Sequence, residues 1–222
     1  MENIQWEYIF NFKLAIESFP YVIQGIGFTL LISLISMLCG LIFGFVLALG
    51  RMSHNLFLQI PARTYISFMR GVPILVILFI LYFGFPIIGI HLSALSAALI
   101  GFSLNSAAYM AEINRSAIAA IDKGQWEAAS SLGLSYWQTL GSIIIPQAAK
   151  IAAPPLSNVL LDLIKSSSLA AMITVPELFQ KAKIVGGREL DYMTMYILVA
   201  LIYWGICSII TVFQNKLERN LN

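Results

Sequence analysis

Residues 18–50 read SFPYVIQGIGFTLLISLISMLCGLIFGFVLALG, with Glu17 before them and Arg51 after, and contain no Asp, Glu, Lys or Arg. A membrane-spanning helix needs about 20 apolar residues at ~1.5 Å rise each, so this stretch predicts a span at about 22–49. A secretory signal peptide fits poorly. The apolar run is too long, and the N-terminus carries Glu2, Glu7 and Glu17 against a lone Lys13. The rest of the 222 residues agree: 59% are hydrophobic and 11% charged, against roughly 45–50% and about 25% in an average soluble domain. So little charge cannot cover a water-facing surface. A soluble globular domain and a disordered chain are excluded. A net charge of +2 is too small for the footprint of a nucleic-acid binder. What remains is a multi-pass protein of a lipid bilayer.

Working outward, the next charge gap runs from Arg70 to Glu112. It is too long for one span, and Gly84, Pro86 and Gly89 punctuate its middle. It therefore predicts a span at about 64–85, a short hairpin, and a third span at about 92–113. A fourth stretch, about 152–175, holds Asp162 and Lys165. A fifth, about 192–213, is uncharged and carries Tyr192, Tyr196, Tyr203 and Trp204; Tyr192 is placed to anchor at an interface. Five spans put the termini on opposite sides. With the C-terminus inside, the cytoplasmic side collects Arg51, Arg63, Arg70, Arg115, Lys123, Lys150, Lys216 and Arg219. The outer side collects Lys13, Lys181, Lys183 and Arg188. The positive-inside rule then favours N-terminus out and C-terminus in.

The chain reads as one transmembrane domain over 1–222, without a short internal repeat or the inverted repeat of many secondary transporters. Cys39 and Cys207 lie in apolar runs and read as small buried hydrophobes. His54 and His91 are too few and too far apart in sequence to suggest a metal site, and no HExxH or CxxC spacing is present.

The linker at about 122–147 carries the strongest signal. Gln125 to Leu132 are good helix formers, and Gly133 suits the left-handed position that ends a helix. Ser135 with Gln138 three residues on is a capping-box start, and Pro146 punctuates the return into the fourth span. The expected product is a stiff cytoplasmic knob, aromatic at Trp126 and Trp137. By its physics alone it suits docking into a partner's groove or a plain interfacial helix-turn-helix.

This linker resembles the cytoplasmic signature of ABC importer membrane subunits: Glu-Ala-Ala, three residues, Gly, nine residues, Ile, one residue, Leu-Pro. Glu127, Ala128, Ala129, Gly133, Ile143 and Pro146 fall at those positions, and Ile145 stands where Leu is usual. The likeness extends along the chain. Arg70-Gly71-Val72-Pro73 is similar to the Arg-Gly-Thr-Pro of polar amino-acid permeases (His, Glu, Gln, Arg and cystine types). The run Phe79 to Pro86, the stretch Ser103 to Arg115, and Ile164-Lys165-Ser166-Ser167-Ser168-Leu169 resemble that family too, the last with Ser166 where Asp is common.

The resemblance implies an all-α, five-helix type I ABC importer transmembrane domain in a bacterial cell membrane. It implies that Gln125, Glu127, Ala128, Ala129, Gly133 and Pro146 belong to a coupling helix seated in an ATPase subunit. The partners implied are a second permease chain, identical or different, two ATP-binding subunits and an external solute-binding protein. This chain is expected to bind no cofactor and catalyse nothing. It has no Gly-x-x-x-x-Gly-Lys-[Ser/Thr] pattern, and ATP-Mg is expected to be used by the partner.

A charge at the centre of a membrane helix costs roughly 2.5–3.5 kcal/mol on insertion scales. Asp162 and Lys165, three apart on one helix face, read either as a mutual ion pair or as a substrate site, with the Asp162 carboxylate toward an ammonium. Asn158 lies one turn before Asp162. Ser167, with Ser166 and Ser168, can bond back to helix carbonyls and loosen the span there. Arg70, beside the Pro73 irregularity, reads as a snorkelling anchor or as a lining residue. Glu112 and Arg115 read as a helix-end pair or gate. Gly40 and Gly44 form a GxxxG match. The alternatives to an ABC importer are an ion-gradient-driven amino-acid transporter using Asp162, and a membrane scaffold. A polar amino acid is the expected substrate, cystine among them.

Overall fold

The computed structural model describes residues 9–221, with side chains to Lys216; Glu2, Glu7 and the Arg219 side chain lie outside it. Among the described residues every regular element is helical. The helices are α1 Phe12–Val22, α2 Ile26–Met52, α3 Leu56–Gly71, α4 Ile74–Phe79, α5 Ala94–Ala119, α6 Lys123–Ser131, α7 Tyr136–Thr139, α8 Ile145–Ser166, α9 Leu178–Glu189 and α10 Tyr192–Leu221. Four stretches are long and apolar enough to cross a membrane: Phe12–Met52, Ala94–Ala119, Tyr136–Ile173 and Tyr192–Lys216. The bent pair Leu56–Gly71 and Ile74–Ile88 makes a fifth if it counts as one span.

Proline explains three departures from regular helix. Val72 is extended (φ −99°, ψ 130°), so α3 ends at Gly71 and the chain restarts at Ile74. The residue before a proline disfavours the helical region, and that residue is Val72. Within the stretch expected as a span at 64–85, the helix is thus interrupted. Pro86 and Pro146 each follow a π-helical stretch by two residues, Ile80–Gly84 and Leu140–Ile144. A proline inside a helix crowds the carbonyl four residues back and offers it no donor; a widened turn accommodates both faults. For this reason the chain does not break at Pro146. The second helix of the knob continues from Tyr136 into α8.

The chain divides into two compact units: residues 1–35, 74–102 and 161–212, and residues 36–73, 103–160 and 213–222. In the first, Ala15, Val22, Leu178, Ala182, Val185, Met195, Leu198 and Val199 form a core of α1, α9 and the start of α10. Gly25 is required there by close approach, because a Cβ on it would lie 2.5 Å from the backbone of Glu177 and Leu178. The hairpin read at 84–89 is a 3-10 turn, Phe85–Ile88, ended by Gly89 at φ 83°. Helix α8 gives way at Ser167 to a 3-10 segment, Ser167–Ile173, where the serine run predicts loosening. Thr174 follows at φ 67°, an unusual conformation for a β-branched residue, and turns the chain toward Glu177.

In the second unit, Ser36, Gly40, Gly44 and Ala48 make a buried stripe along α2, while Leu38, Ile42 and Val46 are exposed. Small and hydroxyl residues inside with large apolar residues outside suit a lipid solvent. The Gly40 and Gly44 match is a true helix contact. A Cβ on Gly44 would lie 2.8 Å from Met110 Cβ and 2.9 Å from the Ala107 carbonyl oxygen, and Ser106 Oγ donates to the Ser36 carbonyl at 2.9 Å. Cys39 and Cys207 are free thiols, and each is half-buried rather than fully enclosed.

Candidate functional site

The knob is built by caps at both ends of α6. Asp122 is the N-cap, its Oδ1 accepting from the Gly124 N–H at 2.6 Å. At the other end Gly133 takes φ 75°; its N–H bonds to the Ser130 carbonyl at 2.9 Å, and the Leu134 N–H bonds to the Ala129 carbonyl at 3.1 Å. This pair of bonds is the Schellman arrangement, and it favours glycine at the left-handed position. The capping box read from sequence is formed: the Ser135 N–H donates to Gln138 Oε1 at 2.9 Å, and Ser135 Oγ accepts from the Gln138 N–H at 3.4 Å. Each cap is worth about 1 kcal/mol. The Trp126 and Tyr136 rings stack with centroids 5.6 Å apart, tying α6 to α7.

The knob is seated on the end of α5. Leu140 and Ile144 are buried against Ala117, Ile118, Ile121, Ala148 and Ala152, with Trp126 packed on the same cluster. Burying a Leu or Ile fully contributes roughly 1.5–3 kcal/mol. Ala129 faces inward and is buried, whereas Gln125, Glu127, Ala128, Gly133 and Pro146 are exposed. Leu132 is 80% exposed and Trp137 68%. The capped, seated knob turns Glu127 of α6, Leu132 at its C-cap and Trp137 of α7 outward, and so presents a rigid, part-apolar surface.

The polar residues of α8 fall differently. Lys165 Nζ lies 2.8 Å from Asp162 Oδ1, with side chains 58% and 70% exposed. The two groups are brought together as a pair on an open face. Asn158 is exposed on the same helix. Ser167 is fully buried, its hydroxyl donating to the Ile164 carbonyl at 2.7 Å.

Arg70 holds its guanidinium carbon 5.6 Å from the centre of the Tyr109 ring. Glu112 pairs with Arg115 as its spacing predicts, and also with Arg51 at 2.6 Å. From sequence Arg51 marked only the end of a span; its pairing with α5 has no local signal. A groove of about 300 Å³ runs past Arg70, Tyr109 and Glu112.

Sequence reading also misses Glu177. It is 0% exposed and N-caps α9 with both oxygens, Oε2 accepting from Phe179 N–H at 2.8 Å and Oε1 from Gln180 N–H at 2.7 Å. Tyr203 donates its hydroxyl to Oε2 at 2.7 Å. Burial pushes the Glu177 carboxyl up from 4.5 to about 7, against the lowering effect of the hydrogen bonds from Phe179, Tyr203 and Gln180. An acidic residue directly before a helical pattern is the one signal that pointed there.

Comparison with known proteins gives a consistent result. The family described as binding-protein-dependent transport system inner membrane component matches residues 40–222. A probable amino-acid ABC transporter permease protein, YckA of Bacillus subtilis (strain 168), is 74% identical over 219 residues, covering 99% of this chain and 97% of its own. The L-cystine transport system permease protein TcyB of the same organism is 42% identical, covering 91% and 87%. The crystal structure of an amino acid ABC transporter with histidines superposes with a TM-score of 0.90 at 32% identity, covering 95% of this chain and 98% of that one.

Proposed function

The chain belongs to the family of binding-protein-dependent transport system inner membrane components, and on that premise we propose that it is the membrane-spanning permease subunit of an ATP-driven importer of polar amino acids. Its fold is all-helical, that of a type I ABC importer transmembrane domain, and its place is a bacterial cell membrane. The observation that carries the reading is the doubly capped α6, joined through Gly133 to a helix continuous with α8 and turning Glu127, Leu132 and Trp137 outward.

In this reading the knob sits in a cleft of an ATPase subunit. The complex holds two permease chains, two ATP-binding subunits that use ATP-Mg, and an external solute-binding protein. The N-terminus faces out and the C-terminus in. Closure of the ATPase pair on ATP moves the two knobs together, and hydrolysis returns them. Because α6 is capped at both ends and Leu140 and Ile144 are packed against α5, the motion is passed on as rigid-body displacement rather than absorbed by fraying. Catalysis belongs to the partner subunits. The open Asp162–Lys165 pair and Asn158 are pathway candidates, because a zwitterionic solute offers an ammonium to the one charge and a carboxylate to the other. Cystine, the solute in the name of the 42% identical relative, is the first substrate to test.

The test is Glu127→Lys in proteoliposomes that hold the ATPase and the binding protein. The variant is expected to insert and assemble but to lose stimulation of ATP hydrolysis by the loaded binding protein, and uptake with it. Normal uptake by this variant would remove the docking role. Uptake that survives without the ATPase, on an ion gradient alone, would instead support a secondary transporter.

A further inference from the structure

Glu112, toward the end of α5, is held by two guanidinium groups, and the two hold it differently. Arg115, one turn on in the same helix, donates to Oε1 from its Nε at 3.0 Å and again from its Nη2. Arg51 comes from the last turn of α2 and lies 2.6 Å from Oε2. That oxygen is shut off from solvent, yet among the described residues no donor is aimed along a hydrogen bond to it. The grip within α5 is thus a double hydrogen bond, and the tie between the two helices is a charge contact alone. One carboxylate cannot neutralise both cations, and Arg115 by itself would satisfy it.

The second cation eases separation of α2 from α5 at this end. Taking one member away from an ordinary enclosed ion pair strands the other, and the stranded charge resists the separation. Here neither is stranded. Glu112 keeps Arg115 on its own helix. Arg51 keeps the negative end of the α2 dipole, because it sits in that helix's last turn. The contact can therefore be made and broken at small net cost. Its neighbours tie it to the knob. Leu49 and Met52 stand on either side of Arg51 along α2, Ile113 follows Glu112 on α5, and all three pack on the cluster of Leu140 and Ile144 that seats the knob.

We infer that Arg51 and Glu112 form a reversible latch between the cytoplasmic ends of α2 and α5, and that Arg115 is the positioning residue that holds Glu112 while the latch is open. The inference rests on the importer reading for the cycle that works the latch. Movement of the knob shifts Leu140 and Ile144 against Leu49 and Met52. Of the two contacts on Glu112, the one to Arg51 lacks an aligned hydrogen bond and is the one that yields. Without Arg115, opening would strand the carboxylate, and the latch would stay shut. Without Arg51 there is no latch to close.

The experiment uses the permease–ATPase complex in proteoliposomes with the binding protein, supplied with L-cystine, L-arginine or L-glutamine. ATP hydrolysis is measured against the concentration of loaded binding protein, and uptake alongside. Arg51→Gln is expected to raise unstimulated hydrolysis toward the stimulated rate, while Arg51→Lys, which keeps the cation, preserves most of the stimulation. Arg115→Gln is expected to lower the maximal stimulated rate and uptake about tenfold or more, the strength of a hydrogen bond to a charged group, with the half-saturating concentration of binding protein unchanged. Adding Glu112→Gln to Arg115→Gln removes the charge that would be stranded, and should restore hydrolysis to the pattern of Arg51→Gln. A plain structural tie would instead make both single variants fall together, and the double variant fall further. That outcome overturns the inference, as do two unchanged single variants or a double variant that stays slow. Wild-type uptake separates the two readings. If none of the three amino acids is taken up with ATP, or uptake survives without the ATPase, the importer reading fails and the latch with it. ATP-driven uptake without opposite responses of Arg51→Gln and Arg115→Gln sinks the latch alone.

Discussion

Replacing Glu177 with Gln tests the most enclosed titratable group described here. The carboxylate is 0% exposed and accepts three hydrogen bonds, from the Phe179 and Gln180 N–H groups and the Tyr203 hydroxyl. Among the described residues no cation pairs with it; Lys181, one turn on, stands instead over the Tyr21 ring at 4.2 Å. Burial raises its pKa from 4.5 to about 7. The folded protein therefore retains a proton that the unfolded chain gives up. Its contribution to stability is complete below about pH 4.5 and is lost as the pH rises through about 7. At 1.36 kcal/mol per pH unit the loss is roughly 3 kcal/mol. Glutamine keeps the shape and one acceptor but does not ionise, so the variant escapes this loss while mismatching one N–H of the cap. The assay is thermal unfolding of wild type and Glu177→Gln in the same detergent at pH 5, 6, 7 and 8, read as the difference between the two proteins so that other carboxylates cancel. At about 2–4 °C per kcal/mol for a chain of this size, the variant should gain up to ~10 °C on wild type between pH 5 and pH 8. A difference that stays flat, or moves the other way, means that the carboxylate is ionised throughout and that its helix cap outweighs its burial.

Two further perturbations have definite signs. Gly44→Ala places a methyl 2.8 Å from Met110 Cβ and 2.9 Å from the Ala107 carbonyl; overpacking at backbone should destabilise by about 1–3 kcal/mol, seen as a lower unfolding temperature, and an unchanged temperature would mean that α2 and α5 separate freely. Asp162→Asn unpairs Lys165 on a face that the importer reading turns to a water-filled pathway, where such a pair is worth about 0–1 kcal/mol. The complex should therefore assemble normally and show weakened uptake of zwitterionic or cationic amino acids; unchanged affinity and rate would reject Asp162 as a ligand.

What was legible in the sequence was whatever depends on local chemistry. The charge-free run at 18–50 gives a helix because an unpaired backbone or a charge is so costly in hydrocarbon. Asp122, Gly133, Ser135 and Gln138 give the knob because caps are read from residues a few positions apart. Pro73 marks an irregularity, but where the helix stops and restarts is invisible when both sides are equally apolar. Long-range partners were not legible. The Arg51–Glu112 contact joins residues on different helices, and the approach of Arg70 to the Tyr109 ring does the same. Glu177 sits in a stretch whose charges predict a water-exposed outer loop, yet the Thr174 turn and the space left by Gly25 let the chain fold it inward. Gly40 and Gly44 match a pattern frequent by chance, and only the position of Met110 shows that it is used.

The widened turn at Leu140–Ile144 has an evolutionary corollary. Such a turn stores one surplus residue without changing which side chains point where further along. Removing a residue there together with Pro146→Ala, with Gly141 exposed and its Cβ direction empty, would let the coil tighten and leave the azimuth of Asn158 and Lys165 as it is. The same deletion in the uniform part of α8 would swing every later side chain by about 100°. Chain length can therefore drift at this joint between knob and span, with downstream register kept, only where Pro146 is lost along with the surplus residue.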